Sequence, residues 1–344
     1  LKLGIVGLPG AGKTTVFEAL TRSTQRNAHR AEDRAAMVKV PDPRIDFLSS
    51  LYEPRKTIYA QIEYFLPGQA AIARGSASNQ PAWGPVRDCE ALIHVVRNPS
   101  SGAVSESASD ATFEQLDQEL ILADLISVEK RLERIQQDHH RGKKMNPEEH
   151  SLLSGCRQTL ENNRPLRDVP ELAAAPLLRG FAFLTAKPVL VLFNNDDENP
   201  ELPAAGEITS RYVCLAIRGK IEQELAQMTP EEADEFMQAY RINASAMDRV
   251  IQSSYDLLGL ISFFTVGKDE VRVWTIRSGT TALDAAEVIH SDMKKGFIRA
   301  EVLAYEDLLS AGSYPAARKS GTVRLEGKDY RVRDGDIVQF RFNV

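Results

Sequence analysis

The sequence predicts an α/β domain with an antiparallel helical arm inserted into it, followed by a smaller α+β module of the β-grasp type. Three observations carry this. The opening stretch LKLGIVGLPGAGKTTVFEAL reads as strand, glycine-rich turn and helix. Ile121, Leu125, Val128, Leu132 and Ile135 recur at helical spacing with charged residues between them. Beyond residue 262 the pattern shortens to strands such as EVRVWTI, FIRAEVLAY and DIVQFRFNV, with turns at EGKD and RDGD and one helical segment near TALDAAEVIHSDM.

Leu3, Ile5 and Val6 form the first strand, and Val16, Phe17 and Leu20 lie on the helix after it. Between them stands G-x-x-x-x-G-K-[ST], with Gly7, Gly12, Lys13 and Thr14 at the required spacing. Gly10 and Gly12 let backbone N–H groups face a polyphosphate, Lys13 supplies a point charge, and the helix start adds its dipole. Thr14 offers a hydroxyl to Mg²⁺, and Pro9, Ala11 and Thr15 complete the phosphate-binding loop. Residues 36–41, 60–65, 91–97 and 187–193 read as further strands of a twisted sheet. His94, inside one of them, is expected to be a satisfied core residue.

The stripe from Ile121 to Ile135 forms the outgoing half of the arm. After the polar tip DHHRGKKMN, Asn146, Pro147 and Glu149 read as cap, first-turn proline and capping glutamate of a returning helix carrying Leu153, Cys156 and Leu160. Residues 130–144 are the most basic stretch of an acidic chain, so Arg141, Lys143 and Lys144 are either a solvated face or a contact for RNA or the ribosome. The expected domains are residues 1–115 with 176–261, the arm at 116–175, and the C-terminal module at 262–344.

The formal net charge of -6 over 344 residues argues against coating nucleic acid by bulk electrostatics. Cys89, Cys156 and Cys214 are too scattered for a disulfide framework or a zinc site and are expected to be small buried hydrophobes. No apolar run is long enough to span a membrane, and the first strand leaves no room for a leader, so the expected location is the cytoplasm. A monomer is expected.

Several stretches together resemble the YchF/Obg-like ATPases of the translation-factor class of P-loop proteins. They are GIVGLPGAGKTTVFEAL, VPDPRIDFL, ELILADLISVEKRLERI, LTAKPVLVLFN, LLGLISFFTVG with VRVWTIRSG, HSDMKKGFIRAEVLAY and LEGKDYRVRDGDIVQFRFNV. The resemblance implies a P-loop G domain, an inserted helical arm and a TGS-like C-terminal domain, with ATP or GTP as ligand and the ribosome or RNA as partner.

Against that family the chain departs in its metal elements. The strand that ends in D-I-A-G in the family aligns with Phe65, Leu66, Pro67 and Gly68, so the metal-side aspartate is replaced by Phe65. Glu63 lies one pleat back and could serve through a shifted strand or a water. The metal-capping threonine falls on Arg30, which either reaches the terminal phosphate or faces solvent. Gln69 follows Gly68 where Ras-like GTPases place a water-orienting glutamine. The base site aligns with Asn194, Asn195 and Asp197, joined by Gly219 and Lys220, which leaves ATP and GTP both open. Three functions compete: an NTPase switch with Lys13 and Gln69 as catalytic groups, a nucleotide-regulated ribosome- or RNA-binding protein that no longer hydrolyses, and a small-molecule kinase.

Overall fold

The computed structural model describes residues 1–23, 32–68, 83–98, 106–203, 206–240, 242 and 244–343. Its described strands, in chain order, are β1 (Lys2–Val6), β2 (Arg34–Lys39), β3 (Lys56–Ile58), β4 (Gln61–Leu66), β5 (Ala91–Asn98), β6 (Val189–Asn195), β7 (Val213–Ile217), β8 (Leu260–Val266), β9 (Glu270–Arg277), β10 (Phe297–Ala304), β11 (Arg324–Glu326) and β12 (Asp336–Phe342). They form two sheets, in the orders β2-β4-β1-β5-β6-β7 and β11-β10-β12-β8-β9-β3. The chain divides into two units, residues 1–38 with 63–250 and residues 39–62 with 251–344.

In the first unit β1 pairs in parallel with both β4 and β5, and β5, β6 and β7 continue in parallel. Strands covered on both faces read as continuous apolar runs, which is why ALIHVV and VLVLF are buried throughout. Strand order reverses at β1, and in such sheets the ligand crevice opens at the carboxyl ends of the strands at that reversal. The glycine-rich loop leaves β1 at this place.

The helix that carries the arm runs across the expected boundary at 116. One unbroken helix runs from Glu106 to His140, about 52 Å at 1.5 Å per residue. Its Phe113, Leu116 and Leu120 pack into the sheet core with Phe65, Leu92 and Phe193. From Ile121 onward the same helix turns its stripe to the returning helix, Pro147–Glu161, where Val128, Leu132, Leu153, Cys156 and Leu160 are buried together. Asn146 caps that helix by accepting from Glu148 N–H at 3.0 Å and Glu149 N–H at 3.3 Å. Glu149 does not reach back to the cap; its carboxylate binds Arg131 at 2.7 Å across the arm.

The second unit is the β-grasp module with residues 39–62 added to it, and β3 of that segment joins its sheet by pairing with β9. Ala282, Ala285 and Ala286 of the helix Ala282–Ile289 let that helix lie close on Phe263, Val302 and Val338. Within KDYRVR strand pairing is limited to an isolated bridge between Arg331 and Thr281. The reason is local: Asp336 Oδ2 accepts from Arg333 N–H at 2.8 Å and from the Tyr330 hydroxyl at 2.7 Å, which holds the segment as a turn. VPDPR is likewise a helix entry, with Asp42 capping the helix Pro43–Tyr52.

Candidate functional site

The site is built on the turn between β1 and the helix Lys13–Thr21. Gly10 and Gly12 hold φ of 82° and 94°, left-handed values that side chains resist. At Gly7 a Cβ would stand 2.5 Å from the Val95 carbonyl oxygen of the neighbouring strand, so the loop can cross β5 only as glycine. Lys13 Nζ folds back to donate to the Gly7 and Leu8 carbonyl oxygens at 2.8 and 2.9 Å. With those carbonyls engaged, the first N–H groups of the helix, which have no intrahelical acceptors, are the loop's remaining polar face. Burial holds the Lys13 ammonium below the ordinary lysine range, and the charge of Glu119 partly offsets this. Thr14 is exposed at the mouth of the loop.

Asn194, the last but one residue of β6, clasps the site from behind. Its Nδ2 donates to the Ala11 carbonyl at 3.0 Å, and its Oδ1 accepts from Gly219 N–H at 3.0 Å. One side chain thus joins the phosphate loop to the start of the helix Gly219–Leu225. Both contacts need bare backbone: a Cβ would stand 2.1 Å from Asn194 Nδ2 at Gly12 and 2.6 Å from its Oδ1 at Gly219.

Asn195 points elsewhere. It is buried, accepts from Asn98 Nδ2 at 2.9 Å, and donates to the Asn199 and Glu201 carbonyls at 3.0 and 2.6 Å. Its amide shapes the loop after β6 and is spent there, so a base-packing role needs another group. Asp197 and Lys220 face each other at 3.9 Å, both solvent-exposed, where an incoming base could compete for either.

Glu63 is not brought to the loop. The register sets it opposite Lys2, with which it pairs at 4.0 Å. Four residue steps along β1 then separate that level from Val6, about 13 Å of strand, and no octahedral first shell spans that distance. Phe65 is buried in the sheet core with Lys2 Nζ 4.0 Å from its ring centroid. Among the described residues no group of three or more His, Cys, Asp or Glu side chains is arranged to hold a metal. Thr14 supplies the loop's own oxygen donor and the Asp33 carboxylate is taken by the Gly68 N–H at 2.8 Å, so the described residues do not form a magnesium cage of their own. Arg30 and Gln69 lie outside the described residues.

His94 is buried as expected, stacked on Phe113 at 4.6 Å between ring centroids, but its Nε2 finds no partner among the described residues. Burial, with the charges of Arg167 and Lys13, pushes the imidazole down to about 3, so it stays neutral under the loop. Burial raises the three thiols to about 11 each, the behaviour of inert cysteines. At the arm tip Arg141, Lys143 and Lys144 are exposed, Lys143 being tied to Asp138 at 2.9 Å.

Two features had no signal in the sequence. Asp33 Oδ1 accepts from Gly68 N–H at 2.8 Å, across 35 positions. Glu18, on the loop's helix, takes Arg34 at 3.1 Å and Gln223 Nε2 at 2.5 Å. Ordinary acids and amides in amphipathic segments carry no spacing that marks them.

Comparison with known proteins gives concordant matches. A family model described as YchF-GTPase_C, protein of unknown function, matches residues 260–343. The ribosome-binding ATPase YchF of Bacillus subtilis is 35% identical over 366 aligned residues, covering 100% of both chains. That of Haemophilus influenzae is 38% identical, covering 100% of this chain and 99% of its own. The solved structure of the Schizosaccharomyces pombe YchF GTPase superposes with a TM-score of 0.81 at 29% identity, over 99% of this chain and 97% of that one.

Proposed function

The chain belongs to the YchF family, and from that premise we propose that it binds a purine nucleoside triphosphate at the Gly7–Thr15 loop and associates with ribosomes in the cytoplasm. Nucleotide occupancy is read out through the arm and the C-terminal module. The observation that carries the reading is the clasp: Asn194 joins the loop to Gly219, and glycine is required on both sides of it. A loop pre-shaped in this way offers its amides without an ordering cost at the moment of binding. The related proteins are ribosome-binding ATPases in two bacteria and a GTPase in a yeast, so both bases stand as ligands to be tested.

Hydrolysis is slow in this reading. Phosphoryl transfer depends on positioning and on charge neutralisation by metal and protein together, and Phe65 with a distant Glu63 leaves the protein's share to Lys13 and Thr14. Titration of the full chain with ATP and GTP tests the binding step. Uptake of either below about millimolar concentration supports the reading, and silence from both sinks it.

The arm tip supplies the second test. Charge reversal at Arg141, Lys143 and Lys144 is expected to weaken ribosome co-sedimentation and to flatten its salt dependence. In a log–log plot each lost phosphate contact removes roughly 0.7 to 0.9 from the slope. Lys143 alone is expected to contribute least, since its ammonium already pairs with Asp138. An unchanged slope for the triple variant places the ribosome contact on another surface.

A further inference from the structure

We propose that Asp33 sets the balance between nucleoside tri- and diphosphates at this loop, by holding the N–H that a terminal phosphate needs. The inference rests on the nucleotide reading above and concerns a residue outside the loop motif.

The placement follows from strand register. β4 runs parallel to β1 with Leu3 opposite Tyr64 and Gly4 opposite Phe65. β1 ends at Val6 and β4 at Leu66, so Gly7 and Gly68 both follow the carboxyl ends of two neighbouring parallel strands. The Gly68 N–H therefore belongs to the same edge of the sheet as the phosphate loop. It is not available there, because Asp33 Oδ1 accepts it at 2.8 Å.

Asp33 is held where it is by its neighbour. Arg34 opens β2, pairs with Glu18 at 3.1 Å and lies 4.7 Å above the Phe17 ring. Glu18 is braced in turn by Gln223 at 2.5 Å. Both Glu18 and Phe17 are on the helix that the loop feeds, so Asp33 is fastened to the element that carries the phosphate-binding amides.

A carboxylate and a phosphate oxygen are the same kind of acceptor, anionic and matched to a backbone N–H. One N–H serves one of them well, and two anions competing for it repel each other. Phosphates seated within the turn use the N–H groups of Lys13, Thr14 and Thr15 and leave Asp33 undisturbed. A phosphate reaching past the turn toward β4 must displace the Asp33 carboxylate. The cost falls on the triphosphate alone.

The experiment is calorimetric titration of the full chain with ADP, GDP and the non-hydrolysable β,γ-imido analogues of ATP and GTP, for the wild type, Asp33→Ala and Asp33→Asn. Asp33→Ala is expected to tighten the triphosphate analogue roughly five- to tenfold, the worth of a partly solvated charged hydrogen bond, with diphosphate affinity unchanged. Asp33→Asn is expected to fall between, because its amide oxygen still accepts the N–H without the charge. An equal shift for di- and triphosphate, or a weaker triphosphate in Asp33→Ala, overturns the inference while diphosphate binding by the wild type leaves the nucleotide reading standing. A wild type that takes up none of the four ligands overturns both.

Discussion

Asp124→Ala is expected to destabilise the protein by about 3–5 kcal/mol, read as a fall in the urea midpoint at unchanged slope. Asp124 is fully buried on the long arm helix. Its carboxylate accepts from Leu184 N–H at 3.1 Å, Thr185 N–H at 2.8 Å and the Thr185 hydroxyl at 2.8 Å, and it pairs with Arg87 at 2.9 Å. Truncation leaves two amides, a hydroxyl and a guanidinium without their anion in a dry place, and each such loss is costly. Arg87 keeps weaker acceptors in the Ala123 and Ala182 carbonyls, at 3.2 and 3.3 Å, which places the effect below that of an isolated buried charge. Asp124→Asn keeps the volume yet turns an NH₂ toward donors, so it is expected to recover little. The exposed pair Lys143–Asp138 is the control: Asp138→Ala is expected to leave the urea midpoint where it is, since exposed ion pairs contribute little. A cost below about 1 kcal/mol for Asp124→Ala would refute the view that this residue fastens the arm to the segment leading into β6.

That anchor shows what the sequence could and could not carry. The glycine-rich turn was legible because its glycines, Lys13 and Thr14 stand at fixed offsets between a strand and a helix, and all of its conformational demands are local. The arm was legible because burial of Val128, Leu132, Leu153 and Leu160 repeats at helical spacing. Its root was not, since Phe113, Leu116 and Leu120 continue the same period while facing the sheet. Periodicity reports that a helix has an apolar face and is silent about what covers it.

Arg87 and Asp124 are 37 positions apart, and Asp33 and Gly68 are 35 apart. Neither pair leaves a trace in composition or period. β3 was missed for a related reason: at three residues, Lys56–Ile58, it is too short to show alternation, and its partner β9 is more than two hundred residues away. At the metal side, the resemblance set Phe65 against the family's aspartate and left Glu63 as the candidate carboxylate. Only the register of β4 against β1 set Glu63 beyond reach.

The clasp makes the second large prediction, a coupled one. Gly12→Ala puts a Cβ 2.1 Å from Asn194 Nδ2 and 3.3 Å from its Cγ, on a backbone with φ 94°. The Asn194 side chain has to leave, which forfeits its bonds to the Ala11 carbonyl and the Gly219 N–H. Left-handed strain of about 1–2 kcal/mol for a non-glycine residue adds to two hydrogen bonds of about 1 kcal/mol each. Nucleotide affinity is therefore expected to fall by roughly two orders of magnitude, since 1.4 kcal/mol is a factor of ten. Asn194→Ala loses the two bonds without the strain and is expected to weaken binding by roughly one order of magnitude. In the double variant the clash has no partner, and what Asn194 supplied is already gone. The double variant should therefore bind about as well as Gly12→Ala, with a coupling energy of about 1–2 kcal/mol from the four dissociation constants. Strict additivity would mean that Gly12 and Asn194 act on the nucleotide independently. The loop would then owe its shape to its own glycines and to Lys13, without the brace from β6.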